Sequence, residues 1–155
     1  MIPLRLSSHH HAFDGKRRTI RKRTRFYIAG PIQGFESRQG YRARIRDLLI
    51  KAGVEVFDPW EEEKGRNKFA RSYTSKQAQE LIRTRLRQIE RCQGVVAYLP
   101  KDSAGTLYEL IWAKIHGKKI YIICPMEKPS PWVVGLTRHY FSSLAEFESE
   151  IPKVK

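Results

Sequence analysis

Apolar and polar positions change period several times along the chain, and the changes divide it into elements. Phe26-Tyr27-Ile28-Ala29 is a short apolar run closed by Gly30-Pro31, the mark of a buried strand and its turn. Over 37–52 the residues Tyr41, Ile45, Leu48, Leu49 and Ala52 recur at helical spacing, with Arg42, Arg44, Arg46 and Asp47 off that face. Gly53 is the natural stop. Val54-Glu55-Val56-Phe57 reads as a second strand, ended by Asp58-Pro59. Residues 60–73 are charged and unpatterned, which predicts a long loop or loose helix. A second helix is expected from about Ser75 to Cys92, with Ala78, Leu81, Ile82, Leu86 and Ile89 as its apolar stripe. The run Gly94 to Leu99 is almost wholly apolar and suits a central parallel strand covered on both faces. Thr106 to His116 follows as a third helix, stopped by Gly117. Lys119 to Cys124 is the next strand and Ser142 to Ile151 a last short helix, with a weak fifth strand near Arg138 to Phe141.

Helices and apolar strands alternating at this spacing predict an α/β domain over 25–155, built on a parallel sheet of four to five strands with helices on both faces. Such sheets bind ligands outside the carboxyl ends of their strands, where strand order reverses. Those ends carry two loops, Gly30-Pro31-Ile32-Gln33-Gly34 and Pro100 to Thr106. If the first and third strands are neighbours, the loops face each other across one crevice.

Composition narrows the class. The 155 residues are enough for one domain with a real core, and 41% of them are hydrophobic, an ordinary fraction. No apolar run approaches the roughly 18 residues that cross a bilayer; the richest, Leu107 to Pro125, is broken by Glu109, Lys114, His116, Lys118 and Lys119. Only Cys92 and Cys124 are present, without metal-ligand spacing, so a reduced, cytoplasmic protein is expected rather than a disulfide scaffold, and no membrane contact. The formal charge is +14, and much of the excess sits in residues 1–25, where Arg5, Lys16, Arg17, Arg18, Arg21, Lys22, Arg23 and Arg25 face Asp14 alone. Residues 1–24 lack apolar periodicity and read as a flexible basic extension. It is either a solvated tail or a surface for polyanions, with a transit peptide as the minor alternative. His9-His10-His11 could ligate a metal, but three histidines in a polar leader read first as a solvated tract; neither metal nor cofactor is called for.

The chemistry concentrates where the second loop enters the third helix. Ser103, Ala104, Gly105 and Thr106 place small side chains and open N–H groups at a helix start, a ready anion site. Glu109 follows, and an ionised carboxylate beside a phosphate-sized site could attack an anomeric carbon. The plain alternative is a capping box, Thr106-x-x-Glu109, in which Glu109 only bonds back to the Thr106 amide. Tyr27-Ile28-Ala29-Gly30-Pro31, Gly94-Val95-Val96-Ala97-Tyr98-Leu99, Ser103-Ala104-Gly105-Thr106-x-x-Glu109-Leu110 and Gly117-Lys118-Lys119, in this order, resemble the nucleoside 2-deoxyribosyltransferase family, which includes the 2′-deoxynucleoside 5′-monophosphate N-hydrolases. The resemblance covers nearly all of 25–124. It implies a flavodoxin-like, Rossmann-like three-layer fold, a homodimer or larger assembly, Glu109 as the nucleophile on C1′, and Tyr27 lining the sugar site. The mechanism it implies is a retaining one like that of retaining glycosidases, and the two loops of the crevice then supply Gly30, Ile32, Gln33, Gly34, Ser103, Gly105 and Thr106 as candidate substrate-binding residues.

Two departures from the family pattern bear on substrate and mechanism. Where the transferases place an aspartate near the 5′ hydroxyl, this chain has Ser103, whose hydroxyl can donate to a phosphate that a carboxylate would repel. Ser103 and Gly105 thereby match the phosphate-contacting positions of the monophosphate hydrolases. Where the family carries an aspartate that helps to protonate the base, this chain has Arg85, and Gln93 stands at the position leading into the third strand. Asp58 and Asp102 are the candidate substitute acids, against the plain reading of each as a turn former. Trp132, after a Pro-rich stretch, is a candidate for stacking on a base, against a plain packing role. Two functions follow. One is an N-glycosidase or transferase acting on a deoxynucleoside or its 5′-monophosphate. The other is a catalytically degenerate nucleotide- or nucleic-acid-binding protein of the same fold, supported by the leader and by Arg66, Lys68, Arg71, Arg83, Arg85, Arg87 and Arg91.

Overall fold

Five short strands build the centre of the domain, in a computed structural model that describes residues 22–64 and 72–151. The histidine tract, most of the basic leader, and Arg66, Lys68 and Arg71 lie outside these residues. Strand β1 (Arg25–Ala29) is followed by a 3-10 turn (Glu36–Arg38) and helix α1 (Gly40–Lys51), then β2 (Glu55–Phe57), α2 (Pro59–Glu63), α3 (Ser75–Glu90) and β3 (Gly94–Tyr98). Helix α4 (Ala104–Ile115), β4 (Lys119–Ile123), α5 (Pro131–Val134), β5 (His139–Phe141) and α6 (Leu144–Glu150) complete the order. All strand pairs are parallel, in the order β2-β1-β3-β4-β5. This is the flavodoxin-like arrangement, with its reversal between β1 and β3. The two loops after those strands therefore share one crevice, as the alternation of elements predicts.

The apolar strand runs are divided between two faces by the period of the pleat. Tyr27, Ala29, Val95, Ala97, Ile120 and Ile122 meet Ile89, Leu110 and Ala113 from α3 and α4. Phe26, Ile28, Val96, Tyr121 and Ile123 meet Ile45, Leu49 and Phe147 from α1 and α6. Burial on both faces is why these strands read as unbroken apolar runs. Gly117, at φ 66, supplies the left-handed residue that ends α4, and Lys118 N–H then closes onto Ala113 O.

The structure refines one reading, corrects another and adds one helical turn. The stretch 60–73 opens with a defined helix, α2, begun by Asp58-Pro59: the Asp58 side chain accepts from Trp60 N–H and proline occupies the first helical turn. Helix α4 begins at Ala104 and not at Thr106, because Ser103 is its N-cap. The Pro-rich tail holds one more helical turn, α5, capped by Ser130.

Candidate functional site

Helix α4 sets Glu109 against β1. Thr106, Leu110 and Ala113 face the core, and Glu109 lies on the flank of that face, half-buried, where α4 leans over the carboxyl end of Tyr27's strand. The Tyr27 hydroxyl donates to Glu109 Oε1 at 2.7 Å. Tyr27 has no exposed surface and stacks on Phe57, with ring centroids 5.7 Å apart. Burial, then the Glu109 charge, hold its phenol well above the usual range, so it stays a hydrogen-bond donor. Burial pushes the Glu109 carboxyl up to about 7, opposed by the Tyr27 hydrogen bond and by the charges of Arg85 and Arg42. The capping-box alternative does not form. The Thr106 amide is taken by Ser103 Oγ at 3.3 Å, and the Glu109 carboxylate points to Tyr27 instead.

Glu109 borders an open cavity of about 580 Å³, a size that suits a small-molecule ligand. The loop after β1 contributes Pro31, Ile32 and Gln33. The loop after β3 and the start of α4 contribute Lys101, Asp102, Ser103, Ala104 and Gly105. The opposite wall is α3, with Leu81, Ile82, Arg85 and Leu86, joined by Glu63 from α2. The N-terminal end of α4 thus faces the cavity with the positive end of its dipole. Ser103 Oγ shares a 2.9 Å hydrogen bond with Thr106 Oγ1. When Thr106 donates in that bond, the Ser103 proton is free for a ligand.

The remaining expected residues fall elsewhere. Tyr27, Gly30, Gly34, Thr106, Asp58 and Trp132 are not among the lining residues; Tyr27, expected to line the sugar site, is fully buried behind Glu109. Trp132 lies on α5 with 76% of its surface exposed. Gly30 opens the first loop packed against Tyr41, where a Cβ would overlap the Tyr41 hydroxyl, and Gly34 turns that loop at φ 71. Asp58 is no free acid: it is buried, caps α2 and pairs with Arg42 at 2.9 Å. Arg42 is 1% exposed and also donates to Ile28 O, Gly30 O and Gln39 Oε1. It ties the first loop to α2, and Gln39 in turn donates to Pro31 O and Phe35 O. Asp102 is exposed on the rim of the cavity.

Sequence reasoning missed two residues. Glu63 is buried, lines the cavity and forms an ion pair with Arg85, which is itself buried and donates to Gln88 Oε1 at 3.0 Å. Glu63 stood in a stretch without period, and nothing in its spacing marked it. Arg42 stood on what reads as the polar side of a helix. Among the described residues no group of three or more His, Cys, Asp or Glu side chains gathers as metal ligands would, and no helix is long and apolar enough to cross a membrane.

A flavodoxin-like sheet with a tyrosine-bonded carboxylate in the crevice of its strand reversal defines a class of small-molecule-binding α/β proteins. Comparison gives the family. The sequence model of the nucleoside 2-deoxyribosyltransferase family matches residues 26–146, and the chain belongs to that family. No curated protein matches it. Among solved structures it is similar to a 2-deoxyribosyltransferase from Bacillus psychrosaccharolyticus, with a TM-score of 0.62 and 19% identity over 83% of this chain and 96% of that one. It is also similar to a CMP N-glycosidase from Clostridium botulinum, with a TM-score of 0.55 and 20% identity over 83% of this chain and 98% of that one. A conserved protein from Enterococcus faecalis gives a TM-score of 0.61 at 20% identity, covering 86% of this chain and all of that one. At these identities the neighbours show a shared fold.

Proposed function

We propose that the protein cleaves the glycosidic bond of a 2′-deoxynucleoside 5′-monophosphate, with Glu109 as the nucleophile on C1′. The observation that carries this reading is the Tyr27–Glu109 hydrogen bond at the edge of the cavity. A carboxylate fixed by one donor, with its other oxygen free, is set to bond to an anomeric carbon as the base leaves. The deoxyribosyl ester then passes to water, or to a second base in a transfer reaction. Tyr27 keeps the carboxylate oriented and steadies its charge. Ser103, the open amides at Ala104 and Gly105, and the nearby Lys101 form the end of the cavity suited to the 5′-phosphate. Ile32 and Gln33 close over the sugar from the first loop.

The test is base release from a deoxynucleoside 5′-monophosphate and from its nucleoside, by the wild type and by Glu109→Gln. The monophosphate is expected to have the higher kcat/KM. Glu109→Gln is expected to lose activity by three orders of magnitude or more, on the order of what losing a covalent nucleophile costs, while remaining folded, since Gln can still accept from Tyr27. Turnover by this variant near the wild-type rate would remove Glu109 from the mechanism.

A further inference from the structure

The cavity has an unusual polar feature on its α3 wall. Arg85 is buried there beside Glu63, in a wall otherwise made of Leu81, Ile82 and Leu86. Apolar side chains of this kind offer a face to a flat ring, and a guanidinium among them offers fixed donors to its edge. The guanidinium has more N–H groups than Glu63, Gln88 and the more distant Glu62 take up. It lines the same cavity as Glu109, and its charge favours the ionised form of that carboxyl. The carboxyls that line the cavity are otherwise committed. Glu63 is held in the ion pair, Glu109 is bonded to Tyr27, and Asp102 is exposed on the rim, in the loop after β3. A base leaving toward α3 therefore meets a cation that does not give up its proton, and not a carboxylic acid.

We propose that Arg85, positioned by Glu63, receives the departing nucleobase as its anion, and that the site accordingly takes bases with an oxo group beside the glycosidic nitrogen and a stable anion, uracil-type bases ahead of cytosine. The proposal rests on the reading of Glu109 as nucleophile. In the step, a Glu109 oxygen bonds to C1′, the C1′–N bond breaks, and its electron pair leaves with the base. The charge lost by Glu109 reappears on the base and spreads to its oxo oxygen, where the Arg85 N–H groups meet it. The base takes a proton from water as it is released. A second water cleaves the glycosyl ester and restores the carboxylate.

The experiment measures kcat/KM for base release from deoxyuridine 5′-monophosphate, its 5-fluoro and 5-bromo analogues, and deoxycytidine 5′-monophosphate. The wild type is compared with the double variant Glu63→Gln/Arg85→Met, which removes both charges and leaves no lone buried ion. Arg85→Lys, which keeps the charge but loses the planar fork, serves if the double variant does not fold. The wild type is expected to prefer uracil to cytosine. The double variant is expected to lose about ten- to a hundredfold on deoxyuridine monophosphate, the scale of one hydrogen bond to a charged group. It should lose less on the halogenated bases, whose anions need less help; Arg85→Lys should show the same pattern at smaller amplitude. An equal loss on every substrate, or a wild type that favours cytosine, with release still dependent on Glu109, would overturn this proposal alone. Absence of release from all four substrates, with Glu109-dependent release from a purine deoxynucleoside 5′-monophosphate, would likewise overturn this proposal alone; absence of release from the purine nucleotides as well would overturn the parent reading with it.

Discussion

A carboxyl raised to about 7 is a poor nucleophile at low pH and a good one above neutrality. With Glu109 as the attacking group, kcat/KM rises about tenfold per pH unit below 7 and levels off above it, while Tyr27, held well above its usual range, stays protonated throughout. A pH–rate profile checks this, and a flat profile from pH 5 to 8 would exclude titration of Glu109 in the free protein. The same shift bears on stability. The folded state holds the Glu109 proton more tightly than the unfolded one, so this group's contribution is fully present below its unfolded value near 4.5 and is lost as pH rises through about 7. Relative to wild type, Glu109→Gln should therefore be more stable at pH 8 than at pH 5, by thermal unfolding at both.

Among the elements, short helices decide how the site is held. Helix α2 is only a turn and a half long, yet it carries Glu63 to the cavity and is started by Asp58. Arg42 of α1 joins Asp58 to the carbonyls of Ile28 and Gly30, so that one buried cation fixes α2 and the loop after β1 together. Removing it leaves Asp58 buried without its closest partner. Arg42→Met should cost about 3–5 kcal/mol of stability in denaturant unfolding. Asp58→Asn keeps the cap and an acceptor and should cost less. If Arg42→Met unfolds at the wild-type denaturant midpoint, the clamp contributes nothing. Helix α3 begins with a full capping box between Thr74 and Gln77, a signature readable in the sequence at T-x-x-Q. The equivalent pattern at Thr106 and Glu109 does not form a box, because Ser103 supplies the cap one turn earlier and Tyr27 competes for the carboxylate.

For the whole molecule, the parallel order β2-β1-β3-β4-β5 makes the crevice between β1 and β3 the place where two loops and two helices converge. Strand β1 starts at Arg25, Thr24 O already accepts from Glu55 N–H, and the basic sequence before it has no apolar periodicity to bury. A chain lacking residues 1–21, which keeps Arg23 and Thr24 on Glu55, should keep the thermal midpoint and the kcat/KM of the full chain, within about 2 °C and about twofold. A larger loss of stability would show the leader docked on the domain. If the leader binds polyanions, only the full chain will bind nucleic acid, and binding will weaken steeply with salt.

The sequence by itself determined the fold class, because β1, β3 and β4 are buried on both faces and α1 and α3 on one, and burial writes its period directly into residue type. It also drew attention to Glu109 and the entry into α4, although spacing alone read Glu109 as a cap and set the helix start two residues late. Tertiary structure alone decided what each polar residue does. Asp58 and Asp102 look alike as loop aspartates, but one is locked under Arg42 and the other stands on the rim. Glu63 and Arg85 are 22 positions apart in the chain and meet only when α2 and α3 pack together. Ion pairs and hydrogen bonds between distant segments leave no period in a sequence, since each requires one partner at one place and not a repeating face.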